Sequence, residues 1–265
     1  MESTERKIVS QNLSGKRLII TRAPHQAASF GSLLEEAGAK VHYLPLIDIT
    51  PILNAPIPNV AVCFDWVIFT SVNAVNTFQL ALQQHGRTIT EYSNCNIAAI
   101  GEATAEAIRE YGLSVDCIPA SHMSHALVDT VLEHEPKPRG RRVLMPQGNL
   151  AQPVIAEALS DEGMDVYSFS VYRTVTCDIS ENAMEAAKHF TPHGIAFFSP
   201  SAVDAYIATG LRDMLAQVQS DIVHASIGPV TTSALRKKKC AHIAEAQHQN
   251  EPSLRDAIIE AFRKG

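Results

Sequence analysis

Short apolar runs alternate along this chain with longer stretches in which apolar residues return every three or four positions. The first pattern predicts buried β-strands and the second amphipathic helices. The predicted order is strand 17–21, helix 24–37, strand 40–44, strand 65–70, helix 72–85, strand 96–100, helix 102–111, strand 114–118 and helix 123–134. From Arg142 the same order begins again, with a strand at 165–169. Strands separated by helices of ten to fifteen residues mean βαβ units and largely parallel sheets, so an α/β fold is expected.

The chain also repeats itself. RLIITRAP from Arg17 resembles RVLMPQGN from Arg142, 125 residues on, and each runs into a helix followed by a glycine, Gly38 or Gly163, suited to a C-cap. FTSVNAV from Phe69 resembles FFSPSAV from Phe197, and AAIGEATAEAI resembles ASIGPVTTSAL, with Gly101 and Gly228 at matching places. Offsets so nearly equal indicate duplication of a whole unit, far longer than a solenoid repeat. At 265 residues two lobes with a ligand cleft are expected. The proline-rich stretches Thr50–Asn59 and Glu135–Gly140 read as linkers, and only the second lies at the repeat boundary. Repeat and domain boundaries therefore need not coincide.

Composition narrows the function classes. With 46% apolar and 19% charged residues and no long apolar run, the chain has material for buried cores and none for a membrane helix. A net charge of −6 argues against general affinity for nucleic acid, so an anionic ligand would have to be recognised locally. The basic runs at Lys137–Arg142 and Arg236–Lys239 read as solvated surface. Five scattered cysteines without a CxxC indicate neither a disulfide framework nor zinc, and the polar N-terminal stretch has no secretory apolar core. A cytoplasmic, reducing location is expected, with the chain acting as a monomer.

The strand-to-helix turns hold the candidate chemistry: Thr21-Arg22, Ser71-Val72, Gly101 with Thr104, Ser199, and Gly228 with Thr231. In a parallel sheet such turns gather at the carboxyl ends of the strands, where helix N-termini offer free N–H groups to anions. Ser, Thr and Asn also cap helices, and glycines turn chains, without any ligand. No GxGxxG, GxxxxGKS/T or GxSxG pattern points to nucleotide binding or hydrolysis. His122 and His125 have helical metal-ligand spacing but no third partner, and read rather as surface histidines at a helix start. Tyr172, in SVYRTVT, stands where the first copy has Ile47. It reads either as a packing residue or as a proton donor to a leaving oxygen.

Taken together and in order, TRAP, FTSVNAV, IGEATAEAI, SVYRTV, FFSPSAV and IGPVTTSAL resemble the uroporphyrinogen-III synthase family, from Thr21 to Leu235. The resemblance implies two α/β lobes joined by a two-stranded β-ladder. One lobe would hold 1–44 plus 175–265 and the other 50–169, with crossings at 45–49 and 170–174. It implies a cofactor-independent, metal-free lyase that closes hydroxymethylbilane, a linear tetrapyrrole with eight carboxylates, into uroporphyrinogen III with ring D inverted. Tyr172 then matches the residue assisting departure of the hydroxyl. Thr21, Arg22, Ser71, Val72, Gly101, Thr104, Ser199, Gly228 and Thr231 match positions that meet substrate carboxylates. Two departures stand out: MPQGNL (Met145–Leu150) lies where many members have an arginine-glycine pair, and Val230 where a threonine is frequent. A catalytically silent tetrapyrrole- or anion-binding module of the same fold is the alternative. A two-lobed sugar- or amino-acid-binding protein is a further one, though it normally carries an export signal.

Overall fold

The structure is a computed structural model describing residues 12–58, 64–121 and 123–264. Its β-strands fall into two five-stranded sheets, each the centre of one compact unit. One unit runs to Asp48 and resumes at Val175; the other is Ile49–Thr174.

In the first unit the strands are β1 (Arg17–Ile20), β2 (Lys40–Tyr43), β8 (Gly194–Phe197), β9 (Val223–Ser226) and β10 (Ile243–Glu245). Their spatial order is β10-β9-β8-β1-β2, every pair parallel. β8 and β9 are buried at every position, as central strands of a parallel sheet covered on both faces must be. The two-residue period assigns the faces: Leu18 and Ile20 join Phe30, Leu34, Leu254 and Ile258 on one side, while Ile19 joins Phe197, Val203 and Tyr206 on the other. The first side lies under helices α1 (Pro24–Glu36) and α10 (Glu251–Lys264). The second lies under α6 (Glu181–Phe190), α7 (Pro200–Ala208), α8 (Leu211–Ala216) and α9 (Pro229–Lys237).

The second unit holds β3 (Ile47–Pro51), β4 (Trp66–Phe69), β5 (Asn96–Ala99), β6 (Arg142–Gly148) and β7 (Asp165–Thr176), ordered β3-β7-β6-β4-β5. From β7 to β5 the pairs are parallel. Helices α2 (Val72–Gln83) and α3 (Glu102–Glu110) cover Val67 and Phe69, while α4 (Ser124–His134) and α5 (Val154–Asp161) cover Trp66 and Ile68.

The two sheets share one plan. β2-β1-β8-β9-β10 corresponds, strand for strand, to β7-β6-β4-β5 followed by the segment around Cys117. The expected strand 114–118 is reduced there to a single bridge between Ala98 and Cys117. The cause is local: the Asp116 carboxylate accepts the Ile97 N–H at 2.6 Å, taking the place of a ladder carbonyl, so the pairing does not propagate. β7 departs in the other direction. It continues well past the expected 169, because β6 pairs with it as far as Tyr172 and the β3 region pairs with it on the other side. That second pairing is antiparallel: Ile52 N–H donates to Val171 and Cys177 N–H to Leu46. Tyr172 consequently sits inside a strand rather than after one.

Candidate active site

In the second unit the carboxyl ends of β4, β5 and β6 carry Ser71, Gly101 and Gly148, and Tyr172, within β7, lies opposite Gly148. Ser71 is the N-cap of α2, in extended conformation, and its Oγ accepts the Ala74 N–H at 3.1 Å. The first-turn amides that follow, Val72 and Asn73, have no intrahelical acceptor. Gly101 caps α3 at φ 81° and ψ 157°, a region open almost only to glycine. Its backbone can take that turn because no Cβ interferes, which leaves the next amides at the sheet edge. Tyr172 is half-buried against the aromatic core of the unit, and its hydroxyl lies 3.3 Å from Ser71 Oγ. The two residues singled out in separate sequence motifs are therefore in contact.

In the first unit the corresponding ends of β1, β8 and β9 carry Thr21-Arg22, Ser199 and Gly228. Ser199 caps α7, its Oγ accepting the Ala202 N–H at 3.3 Å, and lies 2.9 Å from Ser201 Oγ. Gly228 is extended and caps α9; a Cβ there would come within 2.8 Å of the Gln249 side chain. Arg22 lays its guanidinium over the Phe198 ring, 4.2 Å from the centroid. That ring is held edge-on by Phe30 at 5.3 Å. Burial lowers the Arg22 pKa, while the Glu251 carboxylate opposes the shift. Guanidinium remains charged in any case, and a half-buried cation stacked on an aromatic face is ready for a carboxylate.

Not every expected residue offers a side chain. Thr21 is fully buried, and its hydroxyl donates to the Ala196 carbonyl at 2.8 Å. Thr104 and Thr231 are also buried, so these three positions shape the turns from behind. Val230 at the start of α9 is 57% exposed and presents an alkyl surface where a hydroxyl was expected from the resemblance. The basic runs behave as surface: Arg141 pairs with Asp65 and Glu135, Arg142 with Asp165, and Lys238 with Asp204. His125 is exposed on α4, and His122 lies outside the described residues. Among the described residues no group of three or more His, Cys, Asp or Glu is gathered as a metal site would need. No described helix is long and apolar enough to cross a membrane.

Sequence reasoning missed Phe198 and Gly148. Phe198 falls where the first copy has Thr70, and Arg22 where the second has Gln147, so cation and ring come from different copies of the repeat and meet in one unit, and neither counterpart in the other unit has that chemistry.

The comparisons agree with this architecture. The family profile described as uroporphyrinogen-III synthase HemD matches residues 28–256. A uroporphyrinogen-III synthase of Synechococcus elongatus is 31% identical, covering 97% of this chain and 99% of its own. One from Chlorobaculum parvum is 26% identical over 94% of this chain and 100% of its own. The crystal structure of uroporphyrinogen-III synthetase from Helicobacter pylori aligns with a TM-score of 0.63 at 16% identity, covering 92% of this chain and 99% of that one, a likeness of fold. With most of its length matched by the family profile and a near-full-length relative above 30% identity, this chain belongs to the uroporphyrinogen-III synthase family.

Proposed function

We propose that this chain carries out the ring closure for which its family is named, converting hydroxymethylbilane to uroporphyrinogen III, with Tyr172 as the proton donor. The observation that carries the assignment is the phenol at the carboxyl edge of the second unit, in contact with a helix-capping serine and beside unpaired first-turn amides. In this reading Tyr172 gives its proton to the departing hydroxyl of ring A, which leaves as water. The azafulvene that remains is attacked by the substituted carbon of ring D, giving a spiro intermediate. That intermediate opens and recloses with ring D inverted, and the phenolate takes back the proton released as the last pyrrole regains aromaticity.

Carboxylate recognition in this reading is divided. Arg22 supplies a charged, forked donor in the first unit. The helix starts after Ser71, Gly101, Ser199 and Gly228 supply amides and the positive end of the helix dipole, about 0.3–1 kcal/mol for each exposed contact. Most of the catalytic effect then comes from holding a flexible chain in one geometry, which is worth several kcal/mol and up to about 7–11 in favourable cases. We place the protein in a reducing cytosol because its five cysteines are scattered and without a CxxC; burial raises the pKa of the free Cys117, Cys177 and Cys240 thiols, which makes each less reactive. We take the working form to be a monomer there.

Replacing Tyr172 with phenylalanine keeps the ring and removes the proton. The variant is expected to lose about tenfold or more in kcat while KM and the far-ultraviolet circular dichroism stay near those of the parent. Full activity in Tyr172→Phe would move the proton transfer elsewhere.

A further inference from the structure

We infer that Gly148 and Ser71 are positioning residues for the Tyr172 phenol, Gly148 by leaving its ring a path across strand β6 and Ser71 by receiving its hydroxyl at the far end. The inference rests on the reading of Tyr172 as proton donor and adds what holds it there. β6 lies between β7 and β4 in the sheet, so a side chain from β7 reaches the end of β4 only by crossing β6. The crossing point is Gly148. A Cβ built on Gly148 would lie 2.5 Å from Cζ of Tyr172, 2.6 Å from Cε2 and 2.7 Å from the hydroxyl oxygen. Gly148 has no positive φ, so alanine could adopt its backbone; what an added methyl lacks there is room.

The strand register brings the ring to this point. Gln147 pairs with Ser170, and Gly148 with Tyr172, so Val171 is an extra residue in β7. Such a bulge re-aims the side chain that follows it. In an unbroken register Val171 would stand opposite Gly148, yet its side chain is wholly committed to the core. The backbone on either side is tied: Asn149 N–H donates to the Tyr172 carbonyl at 3.1 Å, and Asn149 Oδ1 accepts the Thr174 N–H at 2.9 Å. An intruding methyl group would therefore move the ring before it moved the strand.

Ser71 completes the seat. One lone pair of its Oγ is engaged by the Ala74 N–H. Its own hydroxyl proton can then turn to the Tyr172 oxygen as that oxygen gives up its proton. The resting separation of 3.3 Å is long for an O–H···O bond, and it would shorten as negative charge develops on the phenol.

The test is a double-mutant cycle on steady-state conversion of hydroxymethylbilane, with circular dichroism and thermal unfolding as fold controls. Gly148→Ala is expected to lower kcat by about tenfold or more, as Tyr172→Phe does, and to change kcat by less than about twofold when added to Tyr172→Phe. A role confined to structure would lower kcat by the same factor in both backgrounds, which overturns the inference, as does a Gly148→Ala enzyme with the parent's kcat. Should Gly148→Ala fail to fold, Ser71→Ala provides the same cycle read in kcat alone: a several-fold loss in the parent, less than about twofold in Tyr172→Phe, and recovery of kcat in Ser71→Thr, while KM, which also reports the helix start that Ser71 caps, is expected to rise in both backgrounds. Equal losses in both backgrounds would sink the claim. An impaired Tyr172→Phe with unaffected Gly148 and Ser71 variants removes the positioning alone, whereas a fully active Tyr172→Phe removes the proton donor as well.

Discussion

Arg22 and Tyr172 occupy chemically unlike places in the two copies of the duplicated unit. Arg22 corresponds to Gln147 and its supporting ring Phe198 to Thr70, so the cation belongs to the first unit alone. Arg22→Gln is expected to raise KM about tenfold or more with kcat nearly unchanged, since hydrogen bonds to charged groups contribute about 1.5–3 kcal/mol. Steady-state kinetics read this directly, and a fall in kcat at constant KM would place Arg22 in the chemical step instead. Phe198→Leu should move KM the same way by a smaller factor. Both proposed residues could be picked out of the sequence, Tyr172 because the copies diverge there and Arg22 because it follows a strand. The contacts that fix them were not. Phe198 reads as one more apolar strand residue, and Gly148 reads as a turn glycine although its requirement is for space rather than for an unusual φ.

The elements themselves follow from local rules, and the exceptions in the sheets come from partners those rules do not reach. The alternation of Trp66 and Ile68 with Val67 and Phe69 on opposite faces of β4 is what a doubly covered strand requires. Nothing in the apolar pattern announces that Asp116 interrupts its ladder, or that β7 runs on to Thr176, because both depend on a partner distant in sequence. Helix α6 ends on Thr191 in the left-handed region at φ 44°, an uncommon place for a β-branched residue. Thr191→Gly should therefore stabilise the fold by about 1 kcal/mol in urea unfolding, and a destabilised variant would contradict this. At the other extreme, Phe78 is fully buried among Phe69, Tyr92 and Phe169. Phe78→Ala is expected to cost about 3–5 kcal/mol.

At the scale of the whole molecule, each unit takes its first strand–helix–strand segment from one copy of the repeat and the remainder from the other. β1, α1 and β2 belong with β8, β9 and β10, while β6, α5 and β7 belong with β4 and β5. That exchange explains why the repeat boundary near Arg142 and the boundaries between units fall at different places. Stability should also depend on pH through a buried histidine of the first unit. His224 Nδ1–H donates to the Ala241 carbonyl, and Nε2 faces the Tyr206 hydroxyl at 3.5 Å. Burial lowers its pKa, with His242 and Arg212 adding to the effect and the Ala241 carbonyl opposing it. The unfolded chain thus binds this proton more readily, so the contribution to stability is full above about pH 6.5 and is lost as pH falls toward the depressed folded value. Unfolding followed by denaturant between pH 7.5 and 5 should show the decline, and His224→Gln should flatten it. The central claim is that this chain directs ring closure with inversion of ring D, and the direct measurement is to add it to freshly generated hydroxymethylbilane and resolve the product isomers. The account predicts that isomer III dominates at every time point; isomer I alone, at the rate of the uncatalysed closure, would contradict it.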